Sequence, residues 1–189
     1  MEVIANPFYD ALTDMPTRYE LNDKLVQSQM KIKNLNEKKI PIVKIDTSVF
    51  GGLHDEEFKE HTEPLFERIE NSEFEIIYSN ITENELEFAP DRVKATVKSL
   101  PKNSMEYVKS DVETTTLARK YIEQGVVGAT SLTDCLHIAL ATIHNANILV
   151  SWNFKHIVNV TRITGYNSVN LAEGYKQIDT RSPRELINI

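Results

Sequence analysis

Apolar and polar positions follow one pattern before residue 39 and another after it. Up to Tyr19 the chain mixes Pro7, Tyr9, Pro16 and Tyr19 with little periodicity. From Glu20 to Lys39 it is polar, with Leu21, Leu25, Gln29 or Ile32, and Leu35 at loosely helical spacing. We read residues 1–38 as an N-terminal extension, an arm followed by a helix, in which Met30 is an alternative start. Residues 39–189 read as one domain. There, Ile42-Val43-Lys44-Ile45 predicts a first strand, Phe74 to Tyr78 a second and Asn147 to Ser151 a buried one. Between them, Glu56 to Asn71 predicts a helix containing Pro64, and Thr82 opens a short helix that Pro90 ends or bends. Asp91 to Leu100 and Ser110 to Gln124 predict further helices, and Gly125 and Gly128 break the chain. Ser131 to Asn145 has the broadest helical apolar face. Val169 to Leu171 reads as a late strand, and Ser182-Pro183-Arg184-Glu185 as a turn into a last helical piece.

Strands that alternate with helices predict a parallel sheet covered on both faces. Ligands of such sheets sit at the carboxyl ends of the strands. Asp46 and Ser151 each follow a strand directly, and Glu85 lies a few residues beyond another. Carboxylates gathered at one end of a sheet are what a hard divalent cation requires, and such a cation beside a phosphodiester makes a nuclease.

Composition narrows the setting. Hydrophobic residues make up 41% and charged residues 26% of the chain, an ordinary globular balance. No apolar run reaches the roughly 18 residues of a membrane span, and the first residues lack the pattern of a secretory signal. Cys135 is the single cysteine, which leaves no internal disulfide and fits a cytoplasmic setting. The net charge of −7 argues against coating long duplex nucleic acid but not against a nuclease, whose metal-binding carboxylates add negative charge.

The order Asp46-Thr47-Ser48 after a first strand, Thr82-x-x-Glu85-Leu86 after a second, Leu132-Thr133-Asp134 before an alanine-rich helix and Ser151-Trp152-Asn153-Phe154 after the next strand resembles the PIN-domain family. The ending, with Gly174-Tyr175, Ile178 and Arg181 to Ile187, resembles a subgroup of it, and the likeness runs from about Ile40 to Ile187. The resemblance implies a three-layer α/β/α sandwich with a central, mostly parallel sheet. It implies a metal-dependent endoribonuclease, with many relatives serving as VapC-type toxins of toxin–antitoxin pairs. Asp46, Glu85 and Asp134 fall on acidic metal positions for Mg²⁺ or Mn²⁺, and Asn153 falls where many relatives carry a fourth acid. Asn153 removes a charge there but still offers an oxygen ligand or a hold on a water. Ser48 or Ser151 can hold a water or a carboxylate by hydrogen bonding. The partners implied are an RNA substrate and an antitoxin protein, with homodimerisation through the helices between Asp91 and Gln124 and no membrane.

Each residue also has a plain structural role open to it. Ser131-x-x-Asp134 and Thr82-x-x-Glu85 both match a helix capping box, and Asp46 can cap the next helix. His137 and His144, seven apart on one helix, read as a packing or surface face. His156 reads as a surface residue or a phosphate contact, Cys135 and Trp152 as core, and Glu83 as the local rival of Glu85. Lys94, Lys98 and Lys102 near Arg92 form either a basic strip for RNA or a wet helix face; Lys109, Arg119 and Lys120 are equally open. Two rival functions follow. One is a catalytically weak PIN-like module that binds RNA or protein. The other is a self-neutralised nuclease whose arm, with Arg18, covers the cleft.

Overall fold

The computed structural model describes residues 22–27 and 40–186. The chain divides into two units, Met1–Lys39 and Ile40–Ile189. In the first, residues 22–27 form an exposed helix, α1. The rest of the expected arm and helix, Arg18 included, lies outside the described residues, as does Ile187.

The second unit runs β1 (Ile42–Ile45), α2 (Thr47–Gly52), α3 (Lys59–Glu70), β2 (Glu75–Ser79), α4 (Asn80–Leu86), α5 (Asp91–Ser99), β3 (Met105–Val108), α6 (Val112–Glu123), α7 (Leu132–Ile143), β4 (Ile148–Val150), α8 (Val160–Ala172), β5 (Asp179–Arg181) and α9 (Pro183–Leu186). The five strands form one sheet in the order β3-β2-β1-β4-β5, with every pair parallel. The strand order reverses between β1 and β4, whose register pairs Val43 with Ile148 and Ile45 with Val150. The carboxyl ends of strands at such a reversal are where open α/β sheets bind ligands.

Both faces of the sheet are covered, which is why its central strands are nearly continuous apolar runs. Val43, Ile45, Ile76 and Val150 pack with Val49, Phe50, Leu65, Phe66 and Ile69 of α2 and α3. Ile77 and Leu149 point the other way, into a core with Leu117 and Tyr121 of α6, Ile138 and Leu140 of α7, and Tyr166 and Val169 of α8. The result is the expected α/β/α sandwich. Lys44 breaks the pattern: it sits in the middle of β1, fully buried, on the face opposite Val43 and Ile45.

Short polar side chains start three of the helices. Ser79 accepts from the Thr82 amide to cap α4, Asp111 from the Thr114 amide to cap α6, and Asn159 from the Arg162 amide to cap α8. Among the described residues, no helix is long and apolar enough to cross a membrane.

The element expectations need three corrections. Val169 to Leu171 is not a strand but part of α8. The buried face of that helix includes Asn170, which accepts from the Tyr121 hydroxyl and donates to the Thr142 hydroxyl, so its apolar period is interrupted by a polar residue. β3 and β5 were not expected. Both edge the sheet, and with Glu106, Tyr107 and Asp179 exposed they carry little apolar signal.

Candidate metal centre

β1 ends at Asp46, whose amide donates to Val150 O at 2.9 Å and so fastens the residue to the neighbouring strand. Asp46 occupies the N-cap position of α2, yet its side chain makes no bond to the helix backbone. Instead its Oδ2 accepts from the Ser48 hydroxyl at 2.5 Å and the Ser151 hydroxyl at 2.8 Å. Each serine oxygen accepts in turn from the chain after β4: Ser48 Oγ from the Trp152 amide and Ser151 Oγ from the Asn153 amide, both at 2.9 Å. The two hydroxyls thus wire the loop carrying Asn153 to Asp46. Burial alone would push the Asp46 carboxyl up, but His137, the two hydroxyls and Lys44 together hold it below its ordinary range.

Glu85 projects from α4 to the same point. Its Oε2 accepts from the Thr47 hydroxyl and from His137 Nε2, the latter at 2.9 Å. Its carboxyl too is held low: partial burial raises it, but the His137 and Thr47 contacts outweigh burial and the repulsion from Asp46. Asp134 opens α7, one turn before His137 and therefore on the same helix face. Its Oδ1 accepts from Asn153 Nδ2 at 2.8 Å. Its carboxyl is pushed up by burial first, with the nearby charges of Asp46 and Glu85 adding to the shift.

The structure therefore brings Asp46 and Glu85 together with His137, and ties Asn153 to Asp134, which is not among these clustered ligand atoms. The capping boxes do not form. α4 is capped by Ser79 rather than Thr82, and the Ser131 side chain makes no cap bond on α7. Asn153 is fixed at both ends of its amide, since its Oδ1 accepts from the His156 amide at 3.0 Å. Glu83 points elsewhere and accepts from the Tyr107 hydroxyl at 2.7 Å. Cys135 and Trp152 are core residues as expected.

His137 is the correction of most consequence. It is neither surface nor simple packing: it is 1% exposed, with Nε2 at 2.9 Å from Glu85 and 3.5 Å from Asp46 Oδ1. Its spacing from Asp134, three residues along one helix, was the signal available in the sequence. Ligand atoms of Asp46, Glu85 and His137 all lie within 4.8 Å of one another. The donors fit Mg²⁺ or Mn²⁺, because hard carboxylate oxygens predominate and crowded carboxylates are relieved by a cation. Lys94, Lys98 and Lys102 stand elsewhere, around a groove of about 680 Å³ floored by Tyr78, Leu86, Val97, Leu100 and Met105, and none of the clustered carboxylates lines it.

A family model of the PIN domain matches residues 43–155. Seven chains of solved structures match. One, from the crystal structure of VapBC2 from Rickettsia felis bound to a DNA fragment from their promoter, is 16% identical with a TM-score of 0.43, covering 75% of this chain and 98% of that one. No curated protein matches. The matched segment spans more than half the chain and contains Asp46, Glu85, Asp134 and Asn153, so this chain belongs to the PIN domain family.

Proposed function

We propose that this chain is a metal-dependent endoribonuclease that hydrolyses RNA phosphodiester bonds, acting in the cytoplasm as the toxin, or a toxin-like member, of a toxin–antitoxin pair. The observation that carries the nuclease reading is the convergence of Asp46 and Glu85, with His137, just beyond the carboxyl end of β1. The toxin assignment, and an antitoxin as partner, rest on the order of the four motifs and the form of the C-terminal segment.

Asp46, Glu85 and Asp134 would hold Mg²⁺ or Mn²⁺, which when bound polarises a phosphate and makes a neighbouring water a better nucleophile. The chain's own contribution is orientation. Ser48 and Ser151 fix the Asp46 carboxylate, Thr47 and His137 fix that of Glu85, and Asn153 fixes that of Asp134. Groups held this way need little reorganisation when negative charge builds on the phosphate.

Asp46→Asn and Asp134→Asn should each abolish Mg²⁺- or Mn²⁺-dependent RNA cleavage while circular dichroism stays unchanged. Full cleavage by the purified variants overturns the assignment. The amide of Asn153, committed to Asp134 and His156, favours a second reading, a non-catalytic RNA- or protein-binding module. Under that reading the cations leave the melting temperature unchanged. A metal site stabilises by about 2.7 kcal/mol at a hundredfold excess over Kd.

A further inference from the structure

Lys44 is the charged group that the proposed chemistry does not use. It lies at the centre of β1, two residues before Asp46 and so on the same strand face, with 0% exposure. Its Nζ donates to Ile45 O at 2.8 Å and to Thr82 Oγ1 at 3.0 Å. Thr82 lies one turn before Glu85 on α4, and its amide donates to Ser79 Oγ. The ammonium therefore ties together the two elements that carry Asp46 and Glu85.

Both of its hydrogen-bond acceptors are neutral, and among the described residues no carboxylate lies within ion-pair distance of it. A buried charge with neutral partners is costly. Through Ile45 O the ammonium adjoins the residue before Asp46, and through Thr82 it holds the turn of α4 before Glu85. Asn153, meanwhile, is neutral and bonded to Asp134. One buried positive charge thus bridges the two elements that lead to Asp46 and Glu85, and among the described residues the clustered ligand groups are Asp46, Glu85 and His137.

We infer that Lys44 is a built-in cation of the site, a positioning residue that stands in for a second metal ion and sets the centre to hold a single divalent cation. The inference rests on the proposed metal-dependent function. A buried ammonium partly offsets the carboxylates from below, which keeps Asp46 and Glu85 together before any ion arrives. It also repels a second ion.

Mn²⁺ binding by the full chain, followed by electron paramagnetic resonance of the free ion, tests this through stoichiometry and affinity rather than through activity. The wild type should bind one ion. Lys44→Met preserves the length of the side chain without its charge, and should bind Mn²⁺ at least about tenfold more tightly (~1.4 kcal/mol) or take up a second ion. Lys176→Met removes the same charge from the exposed loop before β5, at the amino end of the sheet, and should match the wild type. Two ions in the wild type overturn the inference even if Lys44→Met does not fold. A Lys44→Met protein with one ion at wild-type or weaker affinity also overturns it, giving the lysine a purely structural role and leaving the metal reading standing. No Mn²⁺ binding by the wild type sinks the metal reading and this inference together.

Discussion

Gly52→Ala should loosen the loop that organises the carboxylates, though Gly52 touches none of them. Gly52 ends α2, and a Cβ there would lie 2.6 Å from Trp152 Nε1 and 2.9 Å from both Trp152 Cδ1 and Thr62 Oγ1. The indole cannot move freely: Nε1 donates to Thr62 Oγ1 at 3.0 Å, and its rings pack on Phe58 with centroids 4.6 Å apart. Overpacking of this kind costs about 1–3 kcal/mol. Forcing the indole aside leaves its buried N–H without an acceptor, a further ~1–3 kcal/mol. Alanine's helix preference over glycine returns about 1 kcal/mol. The net loss is then about 1–5 kcal/mol, a fall of roughly 2–20 °C in melting temperature for a unit of this size. Trp152 is the only tryptophan, so its fluorescence during urea unfolding reports stability and local environment together. The control is Gly51→Ala, where a Cβ meets nothing within 4 Å and stability should hold or rise. A Gly52→Ala protein with the same urea midpoint and native emission as Gly51→Ala would refute the reasoning. Because the Trp152 amide donates to Ser48 Oγ, the variant should also weaken Mn²⁺ binding through Asp46.

Two more predictions concern titration and reactivity. The Thr114 amide and hydroxyl both donate to the exposed Asp111 carboxylate at 2.8 Å, and these bonds hold its carboxyl below the usual range. Its contribution is thus fully present above its unfolded pKa of about 3.9 and is lost as the pH falls through the lower folded value, so Asp111→Asn should flatten the acid limb of the melting-temperature profile. An unchanged limb would contradict this. The Cys135 thiol is buried and pushed up to about 12, chiefly by burial, so iodoacetamide should leave it untouched in the native protein at pH 8 and label it in denaturant. Native labelling at the denatured rate would refute that.

The parts legible in the sequence are those in which chain neighbours carry the signal. The apolar runs of β1 and β4 stand out because the central strands are buried on both faces, and α7 because a broad apolar face repeats at helical spacing. Asp46, Glu85 and Asp134 could be singled out because each follows or opens such an element. β3, β5 and α8 escaped because edge strands are short and wet, and because Asn170 sits where α8 would show an apolar residue.

The sequence by itself determined the alternation of strands and helices and the sandwich that follows from it, and it singled out three acids as candidates. Only the tertiary structure decided which groups surround those acids. Asp46 and Ser151 stand 105 residues apart, Glu85 and His137 52 apart, and Lys44 and Thr82 38 apart. Periodicity reports on which face a residue occupies, whereas a charge is set by whatever the fold places within a few ångströms of it. That is why His137 and Lys44 read as ordinary helix and strand positions until the sheet and α7 were packed around them.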